Sequence, residues 1–94
     1  MAVRLIVTFK AVAGKGEQFA RAFAPVIAKV RKEPGCEQYT LFRGSDDPDT
    51  LVLLERWSDQ AALDAHGAAM RARGSTPTDT LREAPPVLER YDAP

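Results

Sequence analysis

Ninety-four residues make one domain, 1–94, and a chain this short hides only about 60 to 65% of the surface its unfolded form exposes, so a partner subunit would help it. Lysine plus arginine equals aspartate plus glutamate at 13 each, a formal net charge of zero, which leaves no basic excess for phosphates and excludes nucleic acid and anionic membrane as first expectations. No segment approaches the roughly 20 apolar residues of a membrane span, Met1 to Phe9 carries no cleavage-site pattern, and the single cysteine, Cys36, cannot form an internal disulfide, so a reducing, cytoplasmic setting is expected.

Residues 2–12 read as the first strand, with Val3, Leu5, Val7 and Phe9 on one face and Arg4, Ile6, Thr8 and Lys10 on the other. Ala13-Gly14-Lys15-Gly16 breaks it. Over residues 17–32 the apolar positions Phe19, Phe23, Val26, Ile27 and Val30 recur at steps of three and four, which predicts an amphipathic helix. Pro25 removes one of its hydrogen bonds, so a kink is expected there. Pro34-Gly35 stops it. Residues 37–43 alternate as a second strand, and the turn formers from Gly44 to Asp49 join it as a hairpin to a third, residues 50–58.

That third strand opens on Leu51-Val52-Leu53-Leu54, a run that suits a sheet covered on both faces. Ser58-Asp59 follows as the N-cap of an alanine-rich helix that carries His66, the only histidine, with Met70 one turn later. Gly67 weakens the middle of this helix, and a break is expected there. Residues 78–84 suggest a short helical piece. The last strand is 87–91, after Pro85-Pro86.

The order is strand, helix, strand, strand, helix, strand. This predicts an α+β, ferredoxin-like βαββαβ fold: a four-stranded antiparallel sheet with both helices on one face. Such a sheet leaves an apolar face in water unless a second copy covers it, so a homodimer packed face to face is expected, burying more than the roughly 1,600 Å² of a standard complex.

The chain resembles the antibiotic biosynthesis monooxygenase family of dimeric α/β barrels. The resemblance is carried by Gly14-Lys15-Gly16-Glu17-Gln18-Phe19, by Glu33-Pro34-Gly35-Cys36 before Tyr39, by Asp47-Pro48, and above all by Leu54-Glu55-Arg56-Trp57-Ser58-Asp59 with Ala65-His66. Its members include oxygenases of polycyclic phenols or quinols, haem-degrading enzymes and isomerases. The haem-degrading branch uses a first-strand asparagine and a histidine beyond a helix tryptophan. This chain has no asparagine, the histidine position falls near Thr76, and the tryptophan position falls at His66. Haem is therefore not expected as substrate, and His66 is expected to face the pocket.

What the resemblance implies is a cofactor-independent monooxygenase acting with O2 on a phenol or hydroquinone. His66 is the candidate base or hydrogen-bond donor, because imidazole titrates near neutrality without help. Val7, Trp57 and Met70 are candidate walls, although Trp57 at a strand end also suits core or interface packing. Strand parity leaves open which sheet face looks into the cavity. Glu55 and Arg56 point to opposite faces and read as separate surface or interface contacts. Asp46, Asp47 and Asp49 fit no calcium loop, no metal ligand cluster stands out, and Cys36 lacks an activating base and reads as inert. Arg71 and Arg73 read as a solvated helix face. A small-molecule isomerase and a non-catalytic ligand-binding or stress-response dimer are the alternatives; an isomerase of a phosphorylated substrate would need convergent arginine or lysine around His66.

Overall fold

The computed structural model describes all residues from Met1 to Pro94. Its elements are β1 (Ala2–Lys10), α1 (Gly16–Val30), β2 (Cys36–Arg43), β3 (Thr50–Trp57), α2 (Gln60–Arg73) and β4 (Val87–Ala93). The strands form one sheet in the order β2-β3-β1-β4, antiparallel throughout. This is the ferredoxin-like arrangement expected from the sequence.

The alternation in β1 and β3 decides where the core lies. Val3, Leu5, Val7 and Phe9 share the helix-covered face with Leu51, Leu53, Glu55 and Trp57, all buried. Val52 and Leu54 stand on the outer face and are only half-buried, so the Leu51–Leu54 run is not covered on both sides within one chain. Both helices lie on the same face, which is why the continuous apolar run misleads. From α1, Phe19, Phe23, Ile27 and Val30 pack down onto the sheet, each burial stabilising by about 1.5–3 kcal/mol. A line of edge-to-face aromatic contacts runs from Phe9 and Phe23 through Tyr39 to Trp57, at centroid distances of 5.8, 6.2 and 6.5 Å.

Several boundaries differ from the sequence reading. β1 ends at Lys10, because Ala11 leaves the ladder to bridge Arg82 and donates its N–H to the Asp49 carbonyl. Helix α1 starts at Gly16 and runs through Pro25, which lies on its exposed side, where water can satisfy the freed carbonyl. Its start is capped from another loop: Asp49 accepts from the Gly14 and Gly16 N–H groups at 2.8 and 2.9 Å. Helix α2 continues through Gly67 without a break. The expected helical piece at 78–84 is instead a run of turns ending in the Arg82 bridge. β4 reaches Ala93, two residues past the expected end, because pairing with Ala2 extends the ladder.

Candidate functional site

Helix α2 is positioned by its cap. Asp59 is extended (φ −160°) and accepts from the Ala62 N–H at 2.8 Å. The turn before β2 is tied to the same corner, since the Ser58 N–H donates to the Gly35 carbonyl at 2.8 Å. The only side chain α2 buries is His66, 7% exposed. Leu63 and Met70, one turn to either side on the same face, remain half-buried. They do so because α2 roofs a cavity of about 400 Å³ over the inner face of the sheet, at the small end of the range for ligand sites.

The floor is Leu5, Val7 and Phe9 from β1 and Leu53 and Glu55 from β3; Tyr39 and Phe23 close one side, and Thr76, Thr78, Arg82 and Leu88 the other. His66, Val7 and Met70, three of the four residues singled out in the sequence, therefore meet around one space. Trp57 does not reach it. Fully buried, it lies beneath the imidazole, ring centroids 4.6 Å apart and planes 29° from parallel.

Two carboxylates complete the arrangement. Glu33 Oε1 lies 3.0 Å from His66 Nδ1. A carboxylate can only accept, so this geometry assigns the hydrogen to Nδ1, which in the neutral ring leaves the lone pair on Nε2. Glu55 Oε1 accepts from Trp57 Nε1 at 2.9 Å, and Glu55 itself is only 4% exposed. The one sealed polar side-chain atom without a partner is Glu33 Oε2. His66 Nε2 and Glu55 Oε2 also lack protein partners and are not sealed, and both side chains line the cavity. Burial pushes the Glu55 carboxyl above its usual range; the Trp57 N–H and the charge of a protonated His66 pull it back, and Glu33 adds to the rise. Burial likewise pushes the Tyr39 phenol up, with Glu55 and Glu33 contributing. An imidazole lone pair and a carboxyl biased toward its neutral form thus share an apolar chamber, a combination suited to taking a proton from one atom and giving one to another.

Glu33 and Glu55 were not legible as site residues. Glu55, read as a surface or interface contact, is buried because its strand position places it beside Leu53 and Trp57 on the core face. It does point away from Arg56, which instead pairs with Glu37 at 3.0 Å. Glu33 belongs to the Glu-Pro-Gly-Cys turn, and its meeting with His66 across 33 positions depends on packing alone. Of the arginines read as solvated, Arg73 comes within 3.9 Å of Glu33. Cys36 fits its inert reading: burial first, then Glu33 and Glu55, raise its thiol pKa and disfavour the thiolate. Asp47 is occupied structurally, accepting from Lys10 Nζ at 2.6 Å and Thr50 Oγ1 at 2.7 Å.

A family model described as antibiotic biosynthesis monooxygenase matches residues 2–73. YcnE of Bacillus subtilis strain 168, named as a candidate monooxygenase, is 31% identical over 77 residues, 72% of this chain and 81% of that protein. A crystal structure of an antibiotic biosynthesis monooxygenase is similar with a TM-score of 0.82 at 26% identity, over 97% of each chain. Another, of a candidate member from Caulobacter crescentus CB15, has a TM-score of 0.85 at 29% identity, over 98% of this chain and 89% of that one.

Proposed function

Because the chain belongs to the antibiotic biosynthesis monooxygenase family, we propose that it is a cofactor-independent monooxygenase oxidising a small phenol- or hydroquinone-type aromatic with O2 in the cavity beneath α2. One observation carries the reading: the single side chain buried by α2 is an imidazole that lines an apolar chamber beside Glu55, its Nε2 unsealed and without a protein partner.

In this mechanism His66 Nε2 takes the phenolic proton, and the apolar walls limit the water that would otherwise stabilise the phenolate. The phenolate gives one electron to O2. Phenoxyl radical and superoxide join through a new C–O bond at a ring carbon bearing hydrogen, and the imidazolium returns its proton to the peroxide. Loss of the hydrogen on that carbon breaks the O–O bond and releases water, so one phenol and one O2 become one quinone and one water. Glu55 in its neutral form can donate from Oε2 to the phenolate or peroxide oxygen. Val7 and Met70 form walls, while Trp57 acts through the imidazole it supports. The working unit in this reading is a homodimer in the cytoplasm.

A proton-shuttling isomerase is the second reading, favoured by the presence of Glu55, His66 and Arg82 around the same cavity. Oxygen uptake separates the two. With a panel of hydroquinones, uptake is expected to persist in chelator and without added flavin; turnover without uptake favours the isomerase, and a ligand held without turnover favours a binding protein. His66→Ala is expected to lower turnover by about 10²–10⁴ with the fold intact, since alanine suits a helix. Thermal melts run beside the kinetics decide its role: a lowered melt with unchanged turnover per folded molecule removes His66 from the mechanism.

A further inference from the structure

Two cavities meet at His66 and at no other residue. The first is the apolar chamber. The second, about 490 Å³, lies behind α2 and is lined by Glu33, Gly35, Ser58, Asp59, Ala62 and Arg73, among others. The imidazole is thus the partition between an apolar interior and a polar cleft. On the cleft side Glu33 is the only group hydrogen-bonded to the ring, through Nδ1. Its side chain keeps 19% of its surface exposed, and its Oε2 has no hydrogen bond, with Arg73 Nη2 too distant at 3.9 Å. The other titratable or charged groups around the two cavities that His66 lines are Glu55 on β3, Tyr39 on β2, Asp79 and Arg82 in the segment before β4, Asp59 at the start of α2 and Arg73 on α2 itself; none hydrogen-bonds to the ring.

We propose that Glu33 is the positioning residue of the site: acting through Nδ1 from the cleft, it holds His66 in the tautomer whose free lone pair is Nε2 and offsets the imidazolium charge that forms when Nε2 takes a proton. This rests on the reading of His66 as a base. Free imidazole of a histidine in water prefers its hydrogen on Nε2, so a carboxylate at Nδ1 reverses the ordinary preference. The relation is that of the carboxylate to the histidine in the serine-protease triad, where the carboxylate orients and compensates without itself taking the proton. The difference is access. The Glu33 side chain lines a cleft even though its Oε2 is sealed, so once Glu33 is shortened to alanine a small carboxylate supplied in solution can enter from the cleft and stand in for it.

The experiment uses the full chain and its single histidine, whose ¹⁵N resonances need no assignment by mutation. NMR on the substrate-free protein above the imidazole titration is expected to give the Nδ1–H tautomer for the native chain and for Glu33→Gln, whose amide oxygen can still accept, and the Nε2–H tautomer for Glu33→Ala. Turnover should then fall by about 10- to 100-fold in Glu33→Ala with KM little changed, by analogy with the range seen when the partner that orients a metal-ligating histidine is lost. Glu33→Gln should fall between, because it orients without charge. Formate, but not chloride at equal ionic strength, should restore kcat to Glu33→Ala. An Nε2–H tautomer in the native protein, an unchanged tautomer in Glu33→Ala, or a rate loss that formate leaves in place overturns the proposal. Because the tautomer is read without substrate, failure of every hydroquinone to turn over counts against the proposed function and leaves this test standing.

Discussion

At the scale of single residues, Glu55 is the least expected member of the site and the one whose ionisation has a measurable thermodynamic consequence. Its folded pKa is raised above the unfolded value of about 4.3, chiefly by burial. A carboxyl raised in this way binds its proton more tightly in the folded state. The associated stability is therefore fully present below the unfolded pKa and is lost as pH rises through the folded value. Glu55→Gln cannot ionise, yet its amide oxygen can still accept from Trp57 Nε1. The melting temperature of Glu55→Gln minus that of the native chain is expected to grow as pH rises from about 4 toward neutrality. Paired thermal melts across that range check it; a gap that stays flat or shrinks means the folded pKa is not raised. In the sequence Glu55 sat between Leu54 and Arg56 with nothing to mark it. Strand parity put it opposite Arg56, but only the position of the helices decided that its face was the buried one.

Among elements, the corner where the 33–36 turn meets α2 matters most, because it brings Glu33 to His66. Gly35 has φ +81°, and a Cβ there would lie 2.5 Å from the Ala62 Cβ and 2.7 Å from Ser58 Oγ. Gly14 has a similar φ of +79° but open space around it. The two isolate conformation from crowding. Gly14→Ala should cost about 1–2 kcal/mol, the penalty for the left-handed region, while Gly35→Ala should cost more and displace the start of α2. In a domain of this size each kcal/mol lowers Tm by about 4–8 °C, so melts distinguish them. Gly35→Ala should also reduce turnover per folded molecule, whereas Gly14→Ala should not. Equal melts for the two variants would show that the corner has slack. The sequence located both turns through their Gly and Pro residues; it gave no means of knowing that one would touch α2.

For the whole molecule, the outer face of the sheet remains to be covered. Phe42, Val87 and Tyr91 are 52%, 62% and 49% exposed, and Ile6, Val52 and Leu54 lie half-buried among them. An apolar sheet face of this kind marks an interaction surface, and the homodimer of the proposed function would cover it with the same face of a second copy. Light scattering is expected to report a dimer at micromolar concentration, with Leu54→Asp shifting it toward monomer by placing a charge in the middle of the contact. A native chain that stays folded and monomeric under those conditions would sink the dimer, and with it the expectation of an interface above roughly 1,600 Å².

The sequence by itself determined the order and type of the six elements, because periods of two and of three to four are local and survive without knowledge of packing. It also singled out His66, as the only histidine, and offered Val7, Trp57 and Met70 as candidate walls; that Val7 and Met70 line one cavity with His66 while Trp57 does not is a matter of packing. It left open which face of β3 the helices cover, since Leu51 and Leu53 stand on one side of that strand and Val52 and Leu54 on the other. Nor could it foresee that α2 bridges a cavity, or that carboxylates from a turn and a strand flank its histidine, one 33 positions before it. Those contacts have no local signature: they exist because the sheet order β2-β3-β1-β4 and the crossing of α2 over it bring distant backbone together, and only there does burial push the carboxyl of an ordinary glutamate above its usual range.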